Sequence, residues 1–234
     1  MKGHDKSRGR GETMYDVSAV VFDFDGTLAE LNVDFRRMRT RVLESIRSHG
    51  EYPESFEELF ALEMVAGASR MIAARNPAEA DEFRRQAMEI IREAEMEGAA
   101  RGNIFDGIPA MFLDLRERNI RTAVVTRNCR EAVCTIYPAI EDHADLLVAR
   151  DGIIRVKPDP GHLLAALERL EVPSGKAFMV GDHPMDIETG KAAGTFTAGV
   201  LTGLSSRESL LEAGCDVILD RAAHIADILK DVPR

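Results

Sequence analysis

Short apolar runs recur along the chain, each closed by a polar or small residue, at 19–24, 122–126, 144–148, Ala177–Gly181, Phe196–Val200 and 216–219. Such β-branched runs read as strands, and the first is apolar enough to be covered on both faces. Between the runs lie segments of helical spacing, as in Gly161–Leu170, where Leu163, Leu164, Leu167 and Leu170 recur on one side. Strands alternating with helices predict βαβ units and an α/β fold, a Rossmann-like parallel sheet flanked by helices.

One interval breaks the alternation. From 32 to 103 no strand is evident, while Phe35, Met38, Val42 and Ile46 fall on one helical face. Ser55 with Glu58 has the capping-box pattern, and Asn76-Pro77 followed by Glu79 marks a second helix start. Met38, Met64, Met71 and Met88 read as helix packing. The interval exceeds an ordinary connection. The expected organisation is an α/β core at 15–31 and 104–234, an inserted all-helical cap domain at 32–103, and a loose tail at 1–14.

Composition removes some functions. A net charge of -10 over 234 residues leaves no broad basic surface, so nucleic acid is not an expected partner. Apolar runs are too short to span a membrane, and the opening residues lack the apolar segment of a signal peptide, so the expected location is cytoplasmic. Cys129, Cys134 and Cys215 lack metal or redox spacing and are expected to be reduced and structural.

The first strand ends in Asp23-Phe24-Asp25-Gly26-Thr27, two carboxylates that are costly to bury. In an open parallel sheet, ligands bind beyond the carboxyl ends of the strands. The other ends carry Thr126-Arg127-Asn128 and Gly181-Asp182-His183-Pro184-Met185-Asp186, and Lys157-Pro158 precedes the helix at Gly161. Asp23, Asp182 and Asp186 offer the hard oxygens that Mg2+ prefers. Lys157 supplies a cation that would neutralise both a carboxylate nucleophile and an incoming phosphate. Thr126 offers a hydroxyl and neighbouring backbone N–H groups at a helix start, where anions are favoured. The constellation points to phosphoryl transfer.

These four segments, in this order over 19–193, resemble the haloacid dehalogenase superfamily of phosphatases. The helical insert and the run 156–170 resemble its phosphoglycolate phosphatase and β-phosphoglucomutase branch. The resemblance implies that Asp23 attacks phosphorus to form an aspartyl-phosphate and that Asp25 serves as acid and then base. It gives Asp23, Asp25, Asp182 and Asp186 as the metal set, and Thr126, Arg127 and Lys157 as phosphate contacts. For Arg127, a solvent-facing position is an equal alternative. Asp186 would ligate the metal, support it, or cap the following helix. His183 is expected to be a loop residue near the site, and Cys129 a buried small side chain. Asn directly after Thr is common in relatives, whereas Arg127 stands there in this chain.

Asp25 disfavours a dehalogenase, which needs no acid there, and the missing membrane spans disfavour an ion-pumping ATPase. The expected activity is therefore hydrolysis of a small phosphorylated metabolite, of phosphoglycolate or sugar-phosphate type, by a monomer or homodimer. A phosphomutase is the near alternative, and a receiver-like phosphate-binding module a more distant one. Within the insert, 66–70 reads as a substrate-facing turn, with Ser69 and Arg70 as specificity residues.

Overall fold

The computed structural model of the chain describes residues 15–30, 32–50, 52–153 and 155–229; the expected tail at 1–14 lies outside the described residues. In chain order the elements are β1 (Ala19–Phe22), α1 (Phe35–Arg47), α2 (Ala61–Ala73), α3 (Pro77–Ala99), α4 (Ile108–Glu117), β2 (Arg121–Val125), α5 (Arg130–Ile136) and α6 (Ile140–His143). There follow β3 (Leu146–Val148), α7 (Gly161–Leu170), β4 (Ala177–Gly181), α8 (Pro184–Ala193), β5 (Phe196–Val200), α9 (Arg207–Glu212) and β6 (Val217–Leu219).

All six strands pair in parallel in the order β3-β2-β1-β4-β5-β6. The chain therefore winds outward from β1 to one side and then from β4 to the other. The order reverses between β1 and β4, which opens a crevice at their carboxyl ends. Because strand side chains alternate, Val20 and Phe22 face α4 across Phe112 and Leu115, whereas Ala19 and Val21 face α7 across Leu163 and Leu167. Both faces are covered, which explains the uninterrupted apolar runs.

Helices α1, α2 and α3 enclose a separate apolar cluster that includes Met38, Val42, Ile46, Phe56, Met64, Phe83 and Ile91. Asn76 caps α3 as its sequence suggests, accepting from the Glu79 N–H at 3.4 Å. The Ser55 capping box does not form. Ser55 lies inside a 3-10 turn, Glu54–Glu58, which starts at Pro53 without a side-chain cap. Phe35 and Met71 stand exposed instead of joining the packed faces. Segment 66–70 is not a turn but the middle of α2. Its Gly67 lets Phe56 approach so closely that an added Cβ would sit 2.7 Å from the ring. Among the described residues no helix is long and apolar enough to cross a membrane.

Candidate active site

β1 hydrogen-bonds to both β2 and β4, so three chemistry-bearing strand ends lie side by side. Asp23 follows β1 and is held by its backbone N–H, which donates to the Val180 carbonyl at 2.8 Å. The chain then turns through Gly26 at φ 80°, a left-handed conformation that favours glycine. A Cβ at Gly26 would also lie 2.6 Å from Asp182 Oδ2, so glycine serves both the turn and the close approach.

Asp23, Asp182 and Asp186 each place a carboxylate oxygen within 4.8 Å of the others, and all three are buried. Lys157 reaches them from the segment before α7. Its Nζ donates to Asp23 Oδ1 at 2.5 Å and to Asp186 Oδ1 at 2.7 Å, with the side chain 2% exposed. Burial would lower the proton affinity of this amine, but Asp186 and Asp23 outweigh it and hold the ammonium well above the usual lysine range. Burial pushes Asp23 well up despite the attraction of Lys157. Burial, reinforced by Asp186, pushes Asp182 up to about 7.

Three buried carboxylates thus share one ammonium. This excess of negative charge and the all-oxygen donor set fit a hard divalent cation such as Mg2+, with Asp23, Asp182 and Asp186 as its protein ligands. The Asp25 carboxylate stands apart from this cluster. Asn128 Nδ2 donates to its Oδ1 at 3.2 Å and its Oδ2 at 3.1 Å. Burial lifts Asp25 to about 6, against the pull of the Asn128 hydrogen bond.

Asp186 caps the following helix, one of its expected roles, and also contacts Lys157. Its Oδ2 accepts from the His183 N–H at 3.2 Å in the capping box of α8, while Oδ1 faces Lys157. His183 is the N-cap, and its Nδ1 accepts from the Met185 N–H at 3.1 Å. Thr126 is buried beyond β2, and its Oγ1 accepts from the Asn128 N–H at 3.0 Å.

Arg127 does not point into solvent. Its Nη2 donates to Glu63 of α2 at 2.7 Å and its Nη1 to the Lys157 carbonyl at 2.9 Å. The guanidinium also lies 5.3 Å from the Phe60 ring centroid. The side chain thereby ties the helical insert to the sheet edge. Ser69 and Arg70 do not line the crevice; Arg70 is exposed on α2, and Ser69 Oγ is buried without a hydrogen-bond partner.

Sequence reasoning assigned no role to Asn128, Glu95 or Arg150. Glu95 of α3 pairs with Arg150 through both carboxylate oxygens, one contact being 2.9 Å. Glu95 Oε2 also accepts from the Cys129 N–H at 3.3 Å, and Arg150 Nη1 donates to the Arg127 carbonyl at 3.2 Å. The pair therefore clamps the loop that presents Asn128 to Asp25. Its signal was present in the sequence: Phe83, Ala87, Ile91 and Glu95 recur every fourth residue, which puts a carboxylate on an apolar stripe. Because the pair is buried, Glu95→Ala is expected to cost about 3 to 5 kcal/mol of folding free energy by stranding Arg150. Chemical denaturation reads this directly, and adding Arg150→Met should recover part of the loss. A single-variant loss below about 1 kcal/mol would mean that the pair does not hold the junction.

Residues 17–194 match the haloacid dehalogenase-like hydrolase family, and the chain belongs to it. The N-acetylmuramic acid 6-phosphate phosphatase of Pseudomonas putida is 28% identical over 217 residues, covering 90% of this chain and 95% of its own. The phosphoglycolate phosphatase of Aquifex aeolicus is 27% identical over 213 residues, with the same two coverages of 90% and 95%. The crystal structure of a hydrolase from Pseudomonas syringae superposes with a TM-score of 0.68 at 18% identity, covering 91% of this chain and all of that one, and so shares the fold.

Proposed function

We propose that this chain is a magnesium-dependent phosphatase that hydrolyses a small phosphorylated metabolite through a phosphoryl group carried on Asp23. The observation that carries this reading is the division of labour between two carboxylates of one turn. Asp23 faces the cationic Lys157 and the acidic cluster, whereas Asp25 stands apart, held by Asn128. The phosphatase relatives support the same reaction.

In the first half-reaction an Asp23 oxygen attacks phosphorus, the bond from phosphorus to the leaving oxygen breaks, and Asp25 gives its proton to the departing alkoxide. In the second, a water oxygen attacks phosphorus, its proton passes to Asp25, and the bond between phosphorus and Asp23 breaks to release phosphate. Burial, which lifts Asp25 to about 6, keeps a fraction of it protonated near neutrality for the first step. Lys157 holds Asp23 in place and, with Thr126 and Arg127, which also line the crevice, offers positive charge and hydrogen bonds to the phosphoryl oxygens. When bound by Asp23, Asp182 and Asp186, the ion supplies Lewis-acid charge that lets a dianionic ester approach a carboxylate.

The helical unit at 32–103 acts in this reading as a cap over the α/β core of 15–31 and 104–234. The crevice supports that division, being lined from one side by α1, α2 and α3 and from the other by the strand ends.

Hydrolysis is tested by phosphate release from alkyl and aryl monoesters, with magnesium and with excess EDTA. Release that requires magnesium is expected, and undiminished release in EDTA would contradict the proposal. Turnover that stays weak until a sugar bisphosphate is added would indicate a phosphomutase instead. Asp25→Asn should slow alkyl esters by roughly 100-fold or more, the usual worth of a positioned acid. Aryl esters, whose leaving groups need no proton, should slow less; equal slowing would remove Asp25 from the leaving-group step.

A further inference from the structure

The phosphoryl site and the space beneath the helical insert form one crevice of about 500 Å³. This lies in the range of roughly 300–1,000 Å³ that encloses whole organic ligands, and a phosphate bearing a two-carbon unit would leave much of it empty. Away from the carboxylates Asp23, Asp25, Asp182 and Asp186 its wall is mostly apolar, with Val33, Phe35, Met38, Phe60, Leu62 and Leu204 beside the polar Arg39, His183 and Ser205. Three of these, Phe35 at 46%, Phe60 at 50% and Leu204 at 83%, are also among the seven large apolar side chains that stand exposed in the described residues. Exposed apolar surface gathered at the mouth of a concave site marks a binding surface more than chance placement does.

Of the cations that line the cavity, Arg127 and Lys157 face carboxylates, whereas Arg39 meets backbone carbonyls that leave its charge uncompensated. Arg39 donates to the carbonyls of Leu59 and Glu57, Arg127 to Glu63 and the Lys157 carbonyl, and Lys157 to Asp23 and Asp186. Glu95, which also lines the cavity, is paired with Arg150.

Resting on the phosphatase reading above, we infer that the substrate is a phosphate monoester whose leaving group carries an apolar face, bound against Phe35, Phe60 and Leu204. These three side chains determine specificity for that reaction. They recognise the part of the substrate that the phosphoryl machinery does not touch.

The test compares 2-phenylethyl phosphate, ethyl phosphate and phosphoglycolate, all esters of primary alcohols, so that leaving-group acidity does not favour the aromatic one. The phenylethyl ester is expected to exceed both others in kcat/KM by roughly tenfold or more, the scale for burying a ring-sized apolar group. Calorimetric binding of the same esters to Asp23→Asn protein should show the same order and does not require turnover. A phenylethyl ester that binds and reacts no better than ethyl phosphate or phosphoglycolate overturns the inference. Ordered binding without phosphate release by the native protein would instead leave the inference standing and remove the phosphatase reading. Phe35→Ser combined with Leu204→Ser, both at exposed positions, should cut the phenylethyl-to-ethyl binding ratio about fivefold or more. An unchanged ratio in a protein with native circular dichroism also overturns it.

Discussion

Asp23→Asn is expected to lower phosphate release by at least about four orders of magnitude, because the residual activity of an enzyme without its nucleophile comes only from binding and electrostatics. The fold should survive, and the melting temperature should hold or rise. The native carboxylate is buried beside Asp182 and Asp186, and burial pushes it well above the ordinary range, so its ionised form is a strained state of the folded protein. An amide of the same shape removes one of three crowded negative charges while keeping an acceptor for Lys157. Activity and stability should therefore move in opposite directions, as at sites where function is held against stability. A variant that loses activity because it unfolds would show both falling together.

Lys157→Met carries the second large effect and should reduce both. Without the ammonium, no other side-chain cation among the described residues pairs with Asp23 or Asp186, each of which it contacts. Phosphate release is expected to fall roughly a thousandfold, the scale for removing a charge aimed at the transferring group. Stability should fall as well, in a pH-dependent way. The folded carboxyl of Asp182 already sits at about 7, above its unfolded value, and loss of Lys157 raises it further. A raised carboxyl contributes stability that is present at low pH and is lost as pH rises through the folded value. The penalty should consequently be small near pH 5 and reach about 3 kcal/mol or more near pH 8. Denaturation curves at the two pH values check the sign; a penalty larger at low pH would show that the carboxylates are not the source.

The gathering of candidate site residues at one end of the sheet was legible in the sequence because each stands at a strand end or helix start. Asp23, Thr126, Lys157 and Asp182 each follow an apolar run or precede a helix, and parallel topology brings such ends together whatever the details of packing. Strand limits were less legible. Phe24 is fully buried, yet β1 ends at Phe22 because the Phe24 carbonyl is taken by the turn that follows, accepting from the N–H groups of Thr27, Leu28 and Ala29. Apolar character alone does not report where ladder hydrogen bonds stop.

The insert was legible as helical but not as a binding wall. Gly67 suggested a flexible turn, whereas it is a site of close helix packing against Phe56, and this carries Ser69 and Arg70 out of the crevice. The residues that do face the site from the insert, such as Phe60 and Glu95, are widely spaced in sequence, and only the packing of α1, α2 and α3 unites them. Arg127 shows the same limit. Its place after Thr126 marked it as a departure, but its partner Glu63 lies on a helix whose docking no local pattern specifies.

The covalent role of Asp23 is tested most directly by trapping. Borohydride reduces an acyl phosphate to an alcohol but leaves a free carboxylate unchanged, so treatment during turnover of an aryl phosphate, whose leaving group needs no proton, with magnesium should convert the Asp23 side chain to that of homoserine. The Asp25→Asn variant, which should slow breakdown of the phosphorylated enzyme, is the form to use, with peptide mass spectrometry locating the change. Modification at Asp23 that requires both substrate and magnesium is the expected result. Continued phosphate release with Asp23 unmodified, or the same modification found at Asp182 or Asp186 instead, would contradict it.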